Sequence, residues 1–465
     1  MAASLRLIQR ATKQLLIYGK GAINVASKRY LLSESYSCRE AWQQYMEDPV
    51  LKKVSLSDFA FEIRDQLEKS GHVSAVDMNV LAHQFHAMEE EEVEFLEDVL
   101  AKYNFCQTSV PRNDSTTHAV ALGFLSAGHG HNLVKLFTDF KTYGIFPNHY
   151  TLNITLDWFI KQQNFADAAK ISYISMLQED FSNPSNALLC LYASVRHLLS
   201  SELDQLACPP VEKPAGEEEE WIKVKYIKFP YYDDHFDIKD ERFLLGKTLL
   251  GLGNLQSVDL PNDLRNSLKI IGSGIYHKFP RGLKLLKEIA DSSDGVISQE
   301  ALQYFSESLE KVDARDPNEP EVELALRTID DVIHRLLPTT DEKQEYLTEL
   351  SRLQEKLKSC GKIVPDYDLG KAVEEIVSLS LSQFEILDIS AQKSLLSVWT
   401  EQRRKELDRQ MEEHRKNERI EEMKRQVKEL QEQEEILTYF DFEEKLRLKF
   451  LEEDRLTDKA LTISK

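Results

Sequence analysis

The sequence predicts an all-α fold: a helical-hairpin solenoid, a further α-helical region and a long charged C-terminal helix. Three observations predict it. Apolar residues recur at i and i+4 through much of the chain, the spacing of one helix face. Glycine and proline are scarce, 17 and 14 in 465 residues, which disfavours turn-rich all-β classes. A pattern also repeats at an offset of thirty-five. Fixed periods of this size mark helix pairs that stack because none can bury its apolar face alone.

The first element is a basic leader. Residues 1–33 hold no Asp or Glu, yet carry Arg6, Arg10, Lys13, Lys20, Lys28 and Arg29 among Leu5, Ile8, Leu15, Leu16 and Ile17. The whole chain has 58 Lys+Arg against 79 Asp+Glu, a formal charge of −21, so this run stands apart. Basic, acid-free helical segments are what mitochondrial import reads. Residues 1–30 are therefore expected to be a presequence, with Lys28-Arg29-Tyr30-Leu31-Leu32-Ser33 resembling a processing site cut after Tyr30. The acidity excludes a generally basic nucleic-acid coat, because phosphate affinity comes from Lys and Arg, so any RNA contact must use local basic segments. No apolar run approaches a membrane span. The five cysteines, no two closer than eighteen positions, read as reduced, mostly packed thiols rather than a disulfide framework or zinc knuckle.

Residues 31–205 carry the solenoid. Ser57 is placed to cap a helix in which Phe59, Ile63 and Leu67 recur, with Gly71 as its stop. Leu81, Phe85 and Met88 begin a second pattern, continued by Val93, Leu96, Val99 and Leu100 after an acidic turn. Thr116 then aligns with Thr151, Phe124 with Phe159 and Leu136 with Ile171, giving best repeats at 114–148 and 149–184. At the junction, Gly144 suits a left-handed helix end, Pro147 fixes a turn and Asn148 or Thr151 can cap the next helix. Small Ala168 and Ala169 let two helices approach closely.

The run Tyr143-Gly144-Ile145-Phe146-Pro147-Asn148-His149-Tyr150-Thr151-Leu152-Asn153, with Asp157-Trp158-Phe159-Ile160-Lys161 and Phe165-Ala166-Asp167-Ala168-Ala169, resembles the junction and body of a pentatricopeptide repeat. In that family a base is read by the fifth residue of a repeat together with its last. The resemblance thus points to His118 with Asn148, and to Asn153 with roughly Asn183; the bland alternative is that these residues cap helices. The order of the elements between 28 and 200 is similar to a pentatricopeptide-repeat family of the mitochondrial small ribosomal subunit. That resemblance implies an RNA-binding ribosomal component supporting translation in the mitochondrial matrix. Its implied partners are the small-subunit rRNA and neighbouring mitochondrial ribosomal proteins.

Residues 206–220, with four successive glutamates, read as an acidic linker, and 221–312 as a mixed, mainly helical region. Trp221–Phe229 is rich in strand formers and carries Lys223, Lys225 and Lys228, a candidate surface arm for phosphates. The stretch 264–287 holds Arg265, Lys269, Lys278, Arg281, Lys284 and Lys287 without one acid. Six cations together in so acidic a chain read equally as an electrostatic footprint for a phosphate backbone or as a helix surface facing acidic neighbours; Tyr276 and Phe279 would stack on bases or pack. Gly246-Lys247-Thr248 lacks the spacing of a phosphate loop, Asp233, Asp234, His235 and Asp237 lack the rest of a metal-ligand pattern, and Gly272-Ser273-Gly274 reads as a flexible turn. No catalytic residue, cofactor, metal or small-molecule substrate is expected.

A second linker at 313–323 precedes a helical region at 324–400, with one helix ending before Pro338 and a hairpin around Tyr346–Leu357 and Lys371–Leu387. Residues 401–465 are mostly charged. Ile420, Met423, Val427, Leu430 and Leu437 fall at coiled-coil spacing, although Glu434 interrupts the stripe, and a single helix held by i, i+4 charge pairs is the simpler expectation. A free pentatricopeptide factor that controls processing or translation of a mitochondrial transcript is the alternative function. Few regular repeats and net acidity count against it.

Overall fold

The computed structural model describes residues 31–106, 109, 113–200, 238, 240–292, 295–316 and 337–463. The expected presequence, the 206–220 linker, the arm with Lys223, Lys225 and Lys228, and the helix placed at Leu324–Leu336 lie outside these residues. Within them the protein is all-α. Strands β1 (Ile297–Ser298) and β2 (Ile363–Val364) form one short parallel pairing, and a bridge joins Arg315 to Thr339. The chain divides into two compact units, one ending at Leu396 and one from Ser397 to Lys465.

In the first unit, α1 (Arg39–Met46), α2 (Pro49–Lys52), α3 (Leu56–Ser70), α4 (Ala75–His83) and α5 (Val93–Asn104) lead into α6 (Asp114–Ala127), α7 (Gly130–Thr138) and α8 (Phe140–Tyr143). There follow α9 (His149–Lys161), α10 (Phe165–Leu177), α11 (Pro184–Leu198) and α12 (Glu241–Gly253). These helices form two rows. α4, α6, α9 and α11 pack in series as the first helices of successive hairpins, while α3, α5, α7 with α8, α10 and α12 form the second row. This is the solenoid the thirty-five-residue period predicts.

Local chemistry sets the boundaries. The Ser74, Asn148 and Asn183 side chains accept from the backbone amides of Val76, Thr151 and Asn186, each satisfying an otherwise orphaned donor. Asn113, Asn148 and Asn183 occupy equivalent starts thirty-five residues apart. Gly144 ends α8 at φ 59, the left-handed conformation expected of it. Ser57 is not the cap of α3: Ser55 takes that place, and the Ser57 hydroxyl instead donates to Glu92 at 2.7 Å.

Beyond the solenoid come α13 (Asn262–Ile275), α14 (Phe279–Asp291), α15 (Gln299–Lys311) and α16 (Thr340–Ser359). Gly272-Ser273-Gly274 is not a turn but part of α13, fully buried. A Cβ on Gly272 would fall 2.7 Å from the Gly246 carbonyl oxygen and 2.8 Å from the Leu250 nitrogen, so the backbones of α12 and α13 touch. This crossing, rather than a phosphate loop, accounts for the glycine of Gly246-Lys247-Thr248. One continuous core runs from Leu32 to Leu381, with Cys38, Cys106 and Cys190 buried as free thiols. Burial pushes the Cys190 thiol up to about 11.

Helix α17 spans Leu369–Ile463, so the expected charged helix is the distal part of one that starts well before residue 401. Along it, Lys405–Glu401 at 2.7 Å and Lys428–Glu432 at 4.0 Å are among the i, i+4 pairs. Ile420, Met423, Val427, Leu430 and Leu437 are all exposed. No helix among the described residues is long and apolar enough to cross a membrane.

Candidate nucleic-acid interface

Helices α13 and α14 bring the acid-free stretch together. In α13, Leu264, Leu268 and Ile271 recur at helical spacing and are buried, which leaves Arg265 and Lys269 half-exposed. Tyr276 then caps the helix, and His277, at φ 55, reverses the chain. In α14, Pro280 stands in the first turn, where its missing N–H costs nothing. Leu283, Leu286 and Ile289 are buried, so Arg281, Lys284 and Lys287, three apart, fall on the opposite, exposed face.

The two helices place three cations against one another. Burial and the neighbouring charges of Arg265 and Arg281 hold the Lys269 ammonium below its ordinary range, partly offset by Glu288. Among the described residues, no ion pair engages Arg265, Lys269, Arg281, Lys284 or Lys287. Three neighbouring cations are engaged elsewhere. Lys356 pairs with Asp291 at 2.6 Å, and the Lys362 ammonium donates to the Ile289 and Ala290 carbonyls at 3.0 and 2.8 Å, closing the end of α14. Lys278 lies 5.3 Å from the Tyr276 ring centroid. A group of cations offset only in part by a nearby carboxylate is electrostatically suited to an anion.

Tyr276 and Phe279 do not reach this surface. They are 3% and 1% exposed and pack edge-on against Phe243 and Phe305, so they are core residues rather than base platforms.

The expected base-reading side chains are used differently. His118 and Asn153 are 3% and 0% exposed. The His118 Nδ1 shares a hydrogen bond with the Thr151 hydroxyl at 2.9 Å, and the Asn153 carbonyl oxygen accepts from the Asn186 amide at 3.0 Å. One hairpin earlier, the Asn79 amide donates to Ser115 and Thr116 at 2.8 and 2.9 Å. Thus the fifth position of each hairpin bonds the third position of the next, a buried polar ladder along the first-helix row. Asn148 is a helix cap. Thr116 and Thr151 stood out as a period-matched pair, whereas Asn186 did not, and the pairing depends on how hairpins face one another. Burial holds the His118 imidazole down at about 3, so it stays neutral.

A family model described as mitochondrial 28S ribosomal protein S27 matches residues 5–429.

Proposed function

The chain belongs to the mitochondrial 28S ribosomal protein S27 family, a component of the small subunit of the mitochondrial ribosome in the matrix, and from that premise we propose that it grips ribosomal RNA by its phosphate backbone. The gripping surface is Arg265, Lys269, Arg281, Lys284 and Lys287 on α13 and α14. The observation that carries this reading is the run of exposed Arg281, Lys284 and Lys287 on one face of α14 beside half-exposed Arg265 and Lys269, none of them in an ion pair among the described residues. A phosphate placed among them offsets their mutual repulsion and releases counterions from the RNA. Contacts of this kind position a protein without reading sequence. The burial of His118 and Asn153 supports the same division of labour and weighs against a free base-reading factor.

The role is structural rather than enzymatic. With a formal charge of −21, the rest of the surface suits basic neighbouring ribosomal proteins, and the charged distal part of α17 offers a long face for one of them. The basic leader 1–30 serves import. Sedimentation of a mitochondrial lysate tests the proposal. Wild type should comigrate with small subunits, and Arg281→Glu with Lys284→Glu should shift part of the protein to light fractions. Full comigration of that variant, with unchanged rRNA crosslinking at α14, would overturn the assignment.

A further inference from the structure

The first-helix row of the solenoid is covered by the chain's own N-terminal segment. Trp42 stacks on His83 of α4 (ring centroids 5.6 Å, 20°) and meets His118 of α6 edge-on at 5.1 Å. Tyr36 stacks on Tyr150 of α9 at 5.1 Å, and the Tyr150 hydroxyl donates to the Tyr36 carbonyl at 2.5 Å. The Asn153 amide donates to the Tyr36 hydroxyl at 2.8 Å. One segment therefore lies across three consecutive hairpins.

A second layer fixes it there. The Tyr36 hydroxyl donates to one carboxylate oxygen of Asp388 at 3.0 Å, and the other oxygen accepts from the Asn183 amide at 3.0 Å. Glu385, itself 7% exposed, accepts from the Ser33 amide at 3.2 Å and from the Ser33 hydroxyl at 2.6 Å. Leu32 is buried beneath.

We propose that Leu32–Tyr45 is a strap that closes this face against single-stranded nucleic acid, with Glu385 and Asp388 as its latch. The covered surface has the chemistry that holds unstacked bases: the rings of His83, His118 and Tyr150 and the amides of Asn153 and Asn183. Tyr36 and Trp42 occupy the stacking positions, and the two carboxylates repel phosphate. Nucleic acid reaches these groups only when the strap leaves.

The test uses the full chain. Limited trypsin cleavage after Arg39 reports release of the strap, and photocrosslinking to a single-stranded RNA oligonucleotide, mapped by mass spectrometry, reports access to α6 and α9. Wild type should be cut slowly and crosslink no peptide of α6 or α9. Asp388→Asn, Glu385→Gln and the double variant Tyr36→Ala with Trp42→Ala should be cut several-fold faster and gain crosslinks there. Wild-type crosslinks in α6 or α9 would overturn the proposal. So would variants as protease-resistant as wild type, or a released strap without new crosslinks. If the double variant loses its cooperative melt, the two latch variants, which keep side-chain volume, decide alone. Crosslinks at α14 are a separate readout, so failure here is distinguishable from failure of the phosphate-gripping surface.

Discussion

The Asn153 amide donates to the Tyr36 hydroxyl while its carbonyl oxygen accepts from the Asn186 amide, so one side chain with no exposed surface joins three separate stretches of sequence. Removing it strands a buried donor on Asn186 and leaves the Tyr36 hydroxyl one partner short. Asn153→Ala should therefore lower stability by about 1–3 kcal/mol, the usual range for leaving a buried polar group unpaired. Urea denaturation measures this; a midpoint equal to wild type would show that the ladder adds no cohesion.

Gly144 tests the hairpin junction. At φ 59 a β-branched side chain is strained, so Gly144→Val should cost about 1–2 kcal/mol or more, whereas Gly144→Asn should cost less. Thermal melts of the two variants should rank in that order.

Gly272 tests the helix crossing. A methyl group there meets the Gly246 carbonyl at 2.7 Å, and backbone atoms cannot step aside as a side-chain tip can. Gly272→Ala is expected to destabilise by roughly 1–3 kcal/mol, although alanine is the better helix former. An alanine variant that melts higher than wild type would contradict the backbone contact.

For the cationic surface, Arg281→Glu with Lys284→Glu should weaken RNA binding in proportion across unrelated sequences. The dependence of affinity on salt should also flatten, by about one unit of slope for each phosphate no longer neutralised. Fluorescence anisotropy at several salt concentrations would show both effects, and a weakening confined to one RNA sequence would speak for base reading instead.

Acid should destabilise the fold through its buried imidazoles. His118 titrates at about 3 and His277 at about 4 when folded, against 6.5 when exposed, and burial is the main cause in each. Below about pH 6.5 the unfolded chain binds protons that the folded chain refuses, so stability falls as pH drops towards the folded values, by up to about 1.4 kcal/mol per pH unit for each histidine. Buried Asp157, whose carboxyl is raised chiefly by burial, acts in the opposite sense. Comparing wild type with His118→Gln isolates one contribution: the variant should show the shallower pH slope in denaturant midpoints.

The sequence made the local punctuation legible. Gly144 and Asn148 each face a steric or capping demand that few residue types satisfy, and both stand where that chemistry requires. The exposure of Arg281, Lys284 and Lys287 was legible too, since charged side chains between buried Leu283, Leu286 and Ile289 fall on the solvent face, although what they meet there was not. What eluded sequence reasoning depends on neighbours distant in the chain. Gly272-Ser273-Gly274 resembles a turn until α12 is seen pressed against it. Tyr276 and Phe279 look equally fit for stacking or packing until Phe243 and Phe305 enclose them. His118 and Asn153 were locatable within their repeats, but periodicity cannot say which other segment comes to rest on a given face.

The Ser33–Glu385 hydrogen bonds bridge 352 positions. A polypeptide made amino end first thus presents Ser33 and Tyr36 long before the carboxylates that fasten them. Until residue 388 is available, Tyr36 can pack on Tyr150, but Ser33 and Tyr36 lack the carboxylates that accept from them. Fastening of this segment is therefore a late event that collapse of the early hairpins cannot complete by itself.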